Sequence, residues 1–205
     1  FSVMHQLQVY AGSGTHPVVR PPWNEPVMVK RLLDIGAFSI LFPMIQDASE
    51  ASAAVAACRY PPNGVRGVSL NHRGNCFGAA KEDYLKRGED NVAVLVQIET
   101  RHALESIDEI AATDGVDGVF FGPADLSADF GHLGNPGHDE VVDAIRAGLK
   151  SLKEIGKPGG ILVPDAVQAR MWLREGMGFV AAGTDQTLLA NSARALSAGC
   201  RQSAH

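Results

Sequence analysis

Apolar positions in this chain follow two alternating periods. Five short, nearly continuous apolar runs, Phe38-Ser-Ile-Leu-Phe-Pro-Met, Val92-Ala-Val-Leu-Val-Gln-Ile, Gly118-Val-Phe-Phe-Gly-Pro-Ala, Gly159-Gly-Ile-Leu-Val and Phe179-Val-Ala-Ala-Gly, are rich in β-branched and aromatic residues. Such runs predict parallel strands covered on both faces. A sixth, His16-Pro-Val-Val-Arg20, is a short strand that ends in a cation. Helical spacing fills the intervals. It runs over Arg101 to Ala112, with Leu104, Ile107 and Ile110 on one stripe, and over Asp139 to Ile155, Asp165 to Glu175 and Asp185 to Ala198. Upstream, Ser2 to Val9 is helical up to the break at Ala11-Gly-Ser-Gly. Asn24-Glu-Pro opens a helix from Val27 to Ile35 that stops at Gly36, and Asp47 or Ser49 caps an Ala-rich helix ending near Arg59.

The segment Asn63 to Lys81 departs from this beat. Gly64 to Leu70 reads as a short strand, Asn71 to Gly78 as a polar, glycine-rich excursion, and Tyr84 to Lys86 as part of a short helix. Long loops in compact domains are usually functional or mobile. Six strands alternating with helices on one core, with no linker, predict a single domain over residues 1–205 with a parallel sheet and right-handed crossovers. A closed (β/α)8 barrel needs eight strands and about 250 residues. Two arrangements are therefore open: a doubly wound open sheet, or a (β/α)8 TIM barrel whose first two βα units are missing from the sequence.

Two of the predicted strands run directly into carboxylates, Glu99 and Asp125, and the crossover between them places both at the carboxyl edge of neighbouring strands. Carboxylates that close repel each other unless a cation or a shared proton intervenes, so the pair points to a divalent metal. All-oxygen ligation suits Mg²⁺ or Mn²⁺ better than zinc. Acids after strands also serve as helix caps or first-turn residues, and that alternative stands beside the metal reading.

Composition narrows the function classes. The chain has 205 residues, 45% hydrophobic and 20% charged, with a formal charge of −5 and no basic cluster, which argues against a nucleic-acid or membrane surface. Cys58, Cys76 and Cys200 are odd in number and form no Cys-x-x-Cys pair, as expected of reduced thiols in a cytoplasmic protein. No apolar run approaches the roughly twenty residues of a membrane span, and no signal peptide is visible. Phe1 is not an initiator methionine, so the sequence reads as one that begins inside a longer gene product.

Several collinear motifs, Pro17-Val-Val-Arg20, Lys30-Arg-Leu-Leu-Asp34-Ile-Gly36, Arg59-Tyr-Pro-Pro-Asn-Gly-Val-Arg-Gly67, Val96-Gln97-Ile-Glu99, Gly115-Val-Asp-Gly-Val-Phe-Phe-Gly-Pro-Ala-Asp125-Leu-Ser and Gly160-Ile-Leu, resemble one family over essentially the whole chain. It is the HpcH/HpaI type of metal-dependent class II pyruvate aldolases. The resemblance implies a (β/α)8 barrel of the phosphoenolpyruvate/pyruvate type, represented here by its third to eighth strands. It also implies a homohexamer whose last helix is exchanged with a neighbouring subunit.

By position, the resemblance makes Glu99 and Asp125 metal ligands, with Mg²⁺ first and Mn²⁺ or Co²⁺ as alternatives. Gln97 and the Ala124 backbone would hold the 2-oxo acid in a turn shaped by Gly122 and Pro123. Leu162 would touch the pyruvate methyl, Arg20 would steady the developing enolate, and Asp34 would raise the basicity of a catalytic histidine. That histidine belongs to a Gly-Glu-His motif that would fall just before Phe1, and none of His5, His16, His72, His102, His132, His138 or His205 lies in such a motif.

The chemistry so implied is retro-aldol cleavage of a 4-hydroxy-2-oxo sugar acid. Lewis-acid stabilisation of a pyruvate enolate suits a divalent ion, and Arg20 adds a fixed cation. A Schiff-base aldolase would need a lysine on a strand, and none of the six carries one. Within the family, Asn24-Glu-Pro-Val, Lys30-Arg-Leu-Leu-Asp-Ile-Gly and Val68-Ser-Leu-Asn-His-Arg-Gly-Asn-Cys-Phe-Gly resemble members that yield pyruvate and tartronate semialdehyde; the alternative aldehyde is succinate semialdehyde. Readings of another class are an acyl-CoA lyase, which would ask for a basic groove, and a non-catalytic incomplete barrel. Bland alternatives apply to single residues as well. Arg20 could be a strand end reaching water, Asp34 a last-turn helical acid, His72 and Arg73 solvated loop residues instead of contacts to an aldehyde or a neighbouring subunit, and Trp23 packing.

Overall fold

Several of the predicted helix starts carry side-chain caps in the computed structural model, which describes residues 2–202. Phe1 and His205 lie outside the described residues. Helix α1 is Ser2–Tyr10 and α2 is Pro26–Asp34, with Pro26 in its first turn and the Glu25 carboxylate accepting from the Val27 and Met28 amides. Strand β1, Ser39–Phe42, leads to α3, Ala48–Cys58, capped by Asp47 accepting from the Glu50 amide. After a 3-10 turn at Arg73–Gly78 come α4, Lys81–Arg87, and β2, Ala93–Ile98. Next are α5, Arg101–Glu105, α6, Ile107–Ala112, β3, Gly118–Phe121, and α7, Pro123–Asp129. The remainder is α8, Asp139–Ile155, β4, Gly159–Val163, α9, Ala166–Glu175, β5, Phe179–Ala182, and α10, Asp185–Gln202. Gly156 and Gly176 close α8 and α9 in the left-handed conformation, where the missing Cβ removes the steric penalty.

All five strands are parallel and lie in the order β1-β2-β3-β4-β5. Sequential order decides between the two arrangements the sequence leaves open. A doubly wound sheet reverses direction at a switch point, whereas a barrel adds each strand on the same side of the last. The architecture is thus an α/β half-barrel sheet. One face is packed against helices: Ile40, Phe42, Val96, Ile98, Val119 and Phe121 are all fully buried. Along the other face the pairing register aligns Gln97 with Phe120 and Phe120 with Gly160. Two residues further along each strand, on that same inner face, come Glu99, Gly122 and Leu162.

Three expectations are corrected. The strand expected at residues 16–20 is reduced to one bridge, Val19 with Ile40, made by the Val19 amide to the Ser39 carbonyl (2.8 Å) and the Leu41 amide to the Val19 carbonyl (2.9 Å). Pro17, Pro21 and Pro22 flank it and cannot donate to a ladder, so six expected strands become five and a bridge. Residues 64–70 form no strand. Their amides turn back onto α3, Val65 to the Ala56 carbonyl and Arg66 to the Arg59 carbonyl, which buries the Arg66 side chain to 2% exposure. The helix expected over Arg101 to Ala112 breaks at Ser106, whose backbone (φ −96°, ψ 9°) separates α5 from α6. Among the described residues, no helix is long and apolar enough to cross a membrane.

Candidate functional site

Glu99 follows the last residue of β2 and is 2% exposed. It does not cap the next helix; Thr100 does, accepting from the Ala103 amide at 3.1 Å. Its carboxylate is instead held from two sides. The Met44 amide donates to Oε2 at 2.8 Å, and the Gln97 side-chain amide donates to Oε1 at 2.7 Å. Met44 can aim its N–H there because it adopts a left-handed backbone, φ 54°, which is uncommon for a non-glycine residue and concentrates at functional sites. The sequence offers no signal for that conformation, so Met44 is the site residue that sequence reasoning misses.

Asp125 is placed differently from expectation. Gly122 and Pro123 end the strand early, and Pro123 starts α7, so Asp125 is an exposed acid in the first turn of a helix and not a strand-end residue. Proline is favoured at that first helical position, which is the signal that could have located the boundary. The capping alternative is nonetheless insufficient, because no side chain caps α7 and Asp125 faces Glu99. Burial, and then the hydrogen bond and charge of Asp125, push the Glu99 carboxyl up to about 7, against the lowering contributed by the Met44 amide and the charge of Arg20. The two acids therefore share an unmet need for positive charge.

Glycine at 122 makes this approach sterically feasible. A Cβ there would lie 2.7 Å from Glu99 Cγ and 2.8 Å from Oε1. The Ala124 carbonyl accepts from the Ser127 hydroxyl at 2.7 Å, while its amide belongs to the first turn, whose N–H groups have no intrahelical acceptor. Arg20 is exposed beyond the Val19 bridge and close enough to Glu99 to lower its pKa. Leu162 is 42% exposed on the inner face. The structure thus brings Arg20, Gln97, Glu99, Gly122, Pro123, Ala124, Asp125 and Leu162 to one edge and one face of the sheet.

Asp34 lies elsewhere. It is the last residue of α2, five positions before β1 begins, and so sits at the amino edge of the sheet. Its carboxylate is paired with Lys30 and with Arg66, the latter at 2.8 Å. Burial alone would raise its pKa, but the hydrogen bonds from these two cations hold it below the usual carboxylate range. Arg66 also donates to the Tyr84 hydroxyl at 3.0 Å and lies over the Tyr60 ring at 4.6 Å. His72 Nδ1 contacts the Asp34 carbonyl at 3.2 Å, and Arg73 donates to the Ile35 carbonyl at 2.7 Å. Both loop residues fasten the excursion to the end of α2. Trp23, expected to pack, is 60% exposed.

The residues fit a hard divalent cation. Two carboxylates face one another, the buried one has its pKa raised, and the Gln97 carbonyl oxygen beside it is buried without a hydrogen-bond partner. Oxygen donors of this type are those preferred by Mg²⁺ and Mn²⁺.

Comparison with known proteins places this site in context. The family model described as HpcH/HpaI aldolase/citrate lyase matches residues 1–192. The chain is 52% identical over 180 residues to a 5-keto-4-deoxy-D-glucarate aldolase of Enterobacter sp. (strain 638), covering 88% of this chain and 70% of that protein. It is 50% identical over 202 residues to a 4-hydroxy-2-oxo-heptane-1,7-dioate aldolase of Klebsiella pneumoniae, covering 96% and 74% respectively. Among solved structures, an HpcH/HpaI aldolase/citrate lyase family protein from Burkholderia cenocepacia J2315 superposes with a TM-score of 0.92 at 38% identity, over 97% of this chain and 79% of the other. The chain belongs to the HpcH/HpaI aldolase/citrate lyase family.

Proposed function

We propose that the chain is a class II aldolase, a carbon–carbon lyase that cleaves a 4-hydroxy-2-oxo sugar acid into pyruvate and an aldehyde. The observation that carries this reading is the contact between Glu99 and Asp125, which sets two acids against each other at the carboxyl edge of the sheet. A divalent ion bound by that pair, Mg²⁺ in our reading, supplies Lewis acidity toward the 2-oxo group. The protein's own groups do the rest. Arg20 presents a permanent positive charge near Glu99, where enolate charge develops as the C3–C4 bond breaks. Gln97, fixed by its bond to Glu99, and the first turn of α7 orient the 2-oxo acid, and Leu162 offers an apolar contact to its methyl end. The group that takes the C4 hydroxyl proton is not among the bonded histidines of the described residues. His16 engages Ser39, His72 the Asp34 carbonyl, and His132 and His138 engage Glu140. Asp34, at the other edge, would act on such a group only from a distance.

5-Keto-4-deoxy-D-glucarate, the acid named in the Enterobacter relative, is a 4-hydroxy-2-oxo acid when numbered from its other end, and its cleavage gives pyruvate and tartronate semialdehyde. That acid is our first substrate, and the heptanedioate, which gives succinate semialdehyde, is the second reading, supported by the Klebsiella relative. Incubating the protein with Mg²⁺, pyruvate and each aldehyde, and following the condensation products, tests the assignment. We expect turnover of tartronate semialdehyde to exceed that of succinate semialdehyde. A reversed preference would favour the second substrate, and failure of the Mg²⁺-loaded protein to bind pyruvate in calorimetry would refute the aldolase reading.

The same reading extends to assembly. The half-barrel sheet corresponds to part of a (β/α)8 barrel of the phosphoenolpyruvate/pyruvate type, with the 205 residues as one domain. Helix α10 exposes Leu188, Leu189 and Leu196 at 61, 74 and 71%. An apolar stripe of this kind is what a helix exchanged within a homohexamer would bury. Free thiols at Cys58, Cys76 and Cys200 suit a reducing, cytoplasmic setting.

A further inference from the structure

The loop between α7 and α8 gathers a second set of ligand-type side chains, chemically unlike the first. His132, His138 and Glu140 each offer one donor atom, and these atoms all lie within 4.8 Å of one another. His132 Nε2 and Glu140 Oε2 are joined by a 2.8 Å hydrogen bond, a pairing that an ion bound between them would replace with a small outward shift. The rings of His132 and His138 stack at 3.4 Å between centroids with a 14° tilt. Stacking brings the two rings side by side, so that both imidazoles present ring nitrogens to the same small volume as Glu140. The hydrogen bond from His132 holds the Glu140 carboxyl below its usual range, which keeps it an anion. Arg101 lies 3.5 Å from the other oxygen of Glu140 while resting on the Phe130 ring at 3.8 Å, an outer partner that orients the carboxylate. Both histidines are half-buried, so the cluster is partly shielded yet accessible.

We propose that His132, His138 and Glu140 form a second cation site, selective for borderline ions such as Zn²⁺ or Co²⁺, that fastens the end of α7 to the start of α8. Two imidazoles and one carboxylate match those ions, where the oxygen-only pair at Glu99 and Asp125 matches Mg²⁺ or Mn²⁺. The mechanical consequence lies in the chain path. Helix α7 carries Asp125 in its first turn, and Asp129 at its far end accepts from the Arg101 amide at 2.6 Å. An ion at the loop would hold α7 from behind.

The test uses Co²⁺ as the probe, in the full chain carrying both E99Q and D125N so that the first site is silent and the outcome is independent of the aldolase reading. Visible absorption should show Co²⁺ bound through imidazole nitrogen in this background. Adding either H132A or H138A should weaken binding by about tenfold or more and remove those bands. The parallel variants H132Q and H138Q, with circular dichroism checking the fold, guard against a packing artefact. No Co²⁺ binding in the silent background overturns the proposal, as does a loss smaller than about tenfold in all four histidine variants.

Discussion

The two edges of the sheet treat a carboxylate in opposite ways. At the amino edge, Asp34 meets Lys30 and the buried Arg66, and its pKa falls below the usual 3.8. At the carboxyl edge, Glu99 meets Asp125, and burial with that second acid drives its pKa from the usual 4.5 to about 7. The first arrangement is complete within the chain, one carboxylate held by two cations. The second is balanced only when something positive arrives, whether a proton or a metal ion. An acid supplied with its own cations is part of the scaffold, and an acid set against another acid marks a binding site.

Removing the carboxyl-edge charge should have the largest effect of all. Glu99→Gln and Asp125→Asn are each expected to lower metal-dependent pyruvate formation by on the order of a thousandfold in kcat. Glu99→Gln should leave the melting temperature unchanged or raised, since it relieves a carboxyl repulsion. Steady-state kinetics beside a thermal melt separate the two effects, and a coupled loss of activity and fold would erase the contrast between the edges. Asp34→Asn should do the reverse. It leaves Arg66 buried with its charge uncompensated, and we expect a loss of about 3 kcal/mol in urea unfolding. An unchanged unfolding midpoint would show that Asp34 is no scaffold element.

The pH dependence sharpens the comparison further, because the two acids carry opposite signs. Glu99 holds its proton more tightly folded than unfolded. The ion-free protein therefore keeps this contribution below about 4.5 and loses it as pH rises toward about 7. Asp34, with a lowered folded pKa, contributes stability above 3.8 that is lost as pH falls through its folded value. Metal binding must displace the Glu99 proton, so apparent affinity should fall by about tenfold for each pH unit below that raised value. Titrations at two pH values check this, and a flat profile between them would remove Glu99 from the ligand set.

Much of this was legible because local rules and tertiary demands agree. The apolar runs at residues 92–98 and 159–163 are strands because they are buried on the helix-packed face. Helix α8 spans the residues its periodicity predicts and ends on Gly156. The acid pair was legible from spacing, although Asp125 belongs to a helix that Pro123 begins. What sequence could not give depends on distance along the chain. Arg66 lies 32 residues from Asp34, and the Met44 amide 55 residues from Glu99. The histidine cluster escaped for a different reason. His132 and His138 flank a glycine-rich loop with no helical or strand period, so nothing in their spacing announces that the rings stack.

The most direct test of the central claim, that Glu99 and Asp125 together hold one divalent ion, is Mn²⁺ binding followed by electron paramagnetic resonance in the unsubstituted chain, E99Q and D125N. Mn²⁺ favours the oxygen pair over imidazole-rich sites. We predict one tight Mn²⁺ in the unsubstituted protein and its loss in each single variant. Retention of that Mn²⁺ at unchanged affinity in either variant would contradict the account.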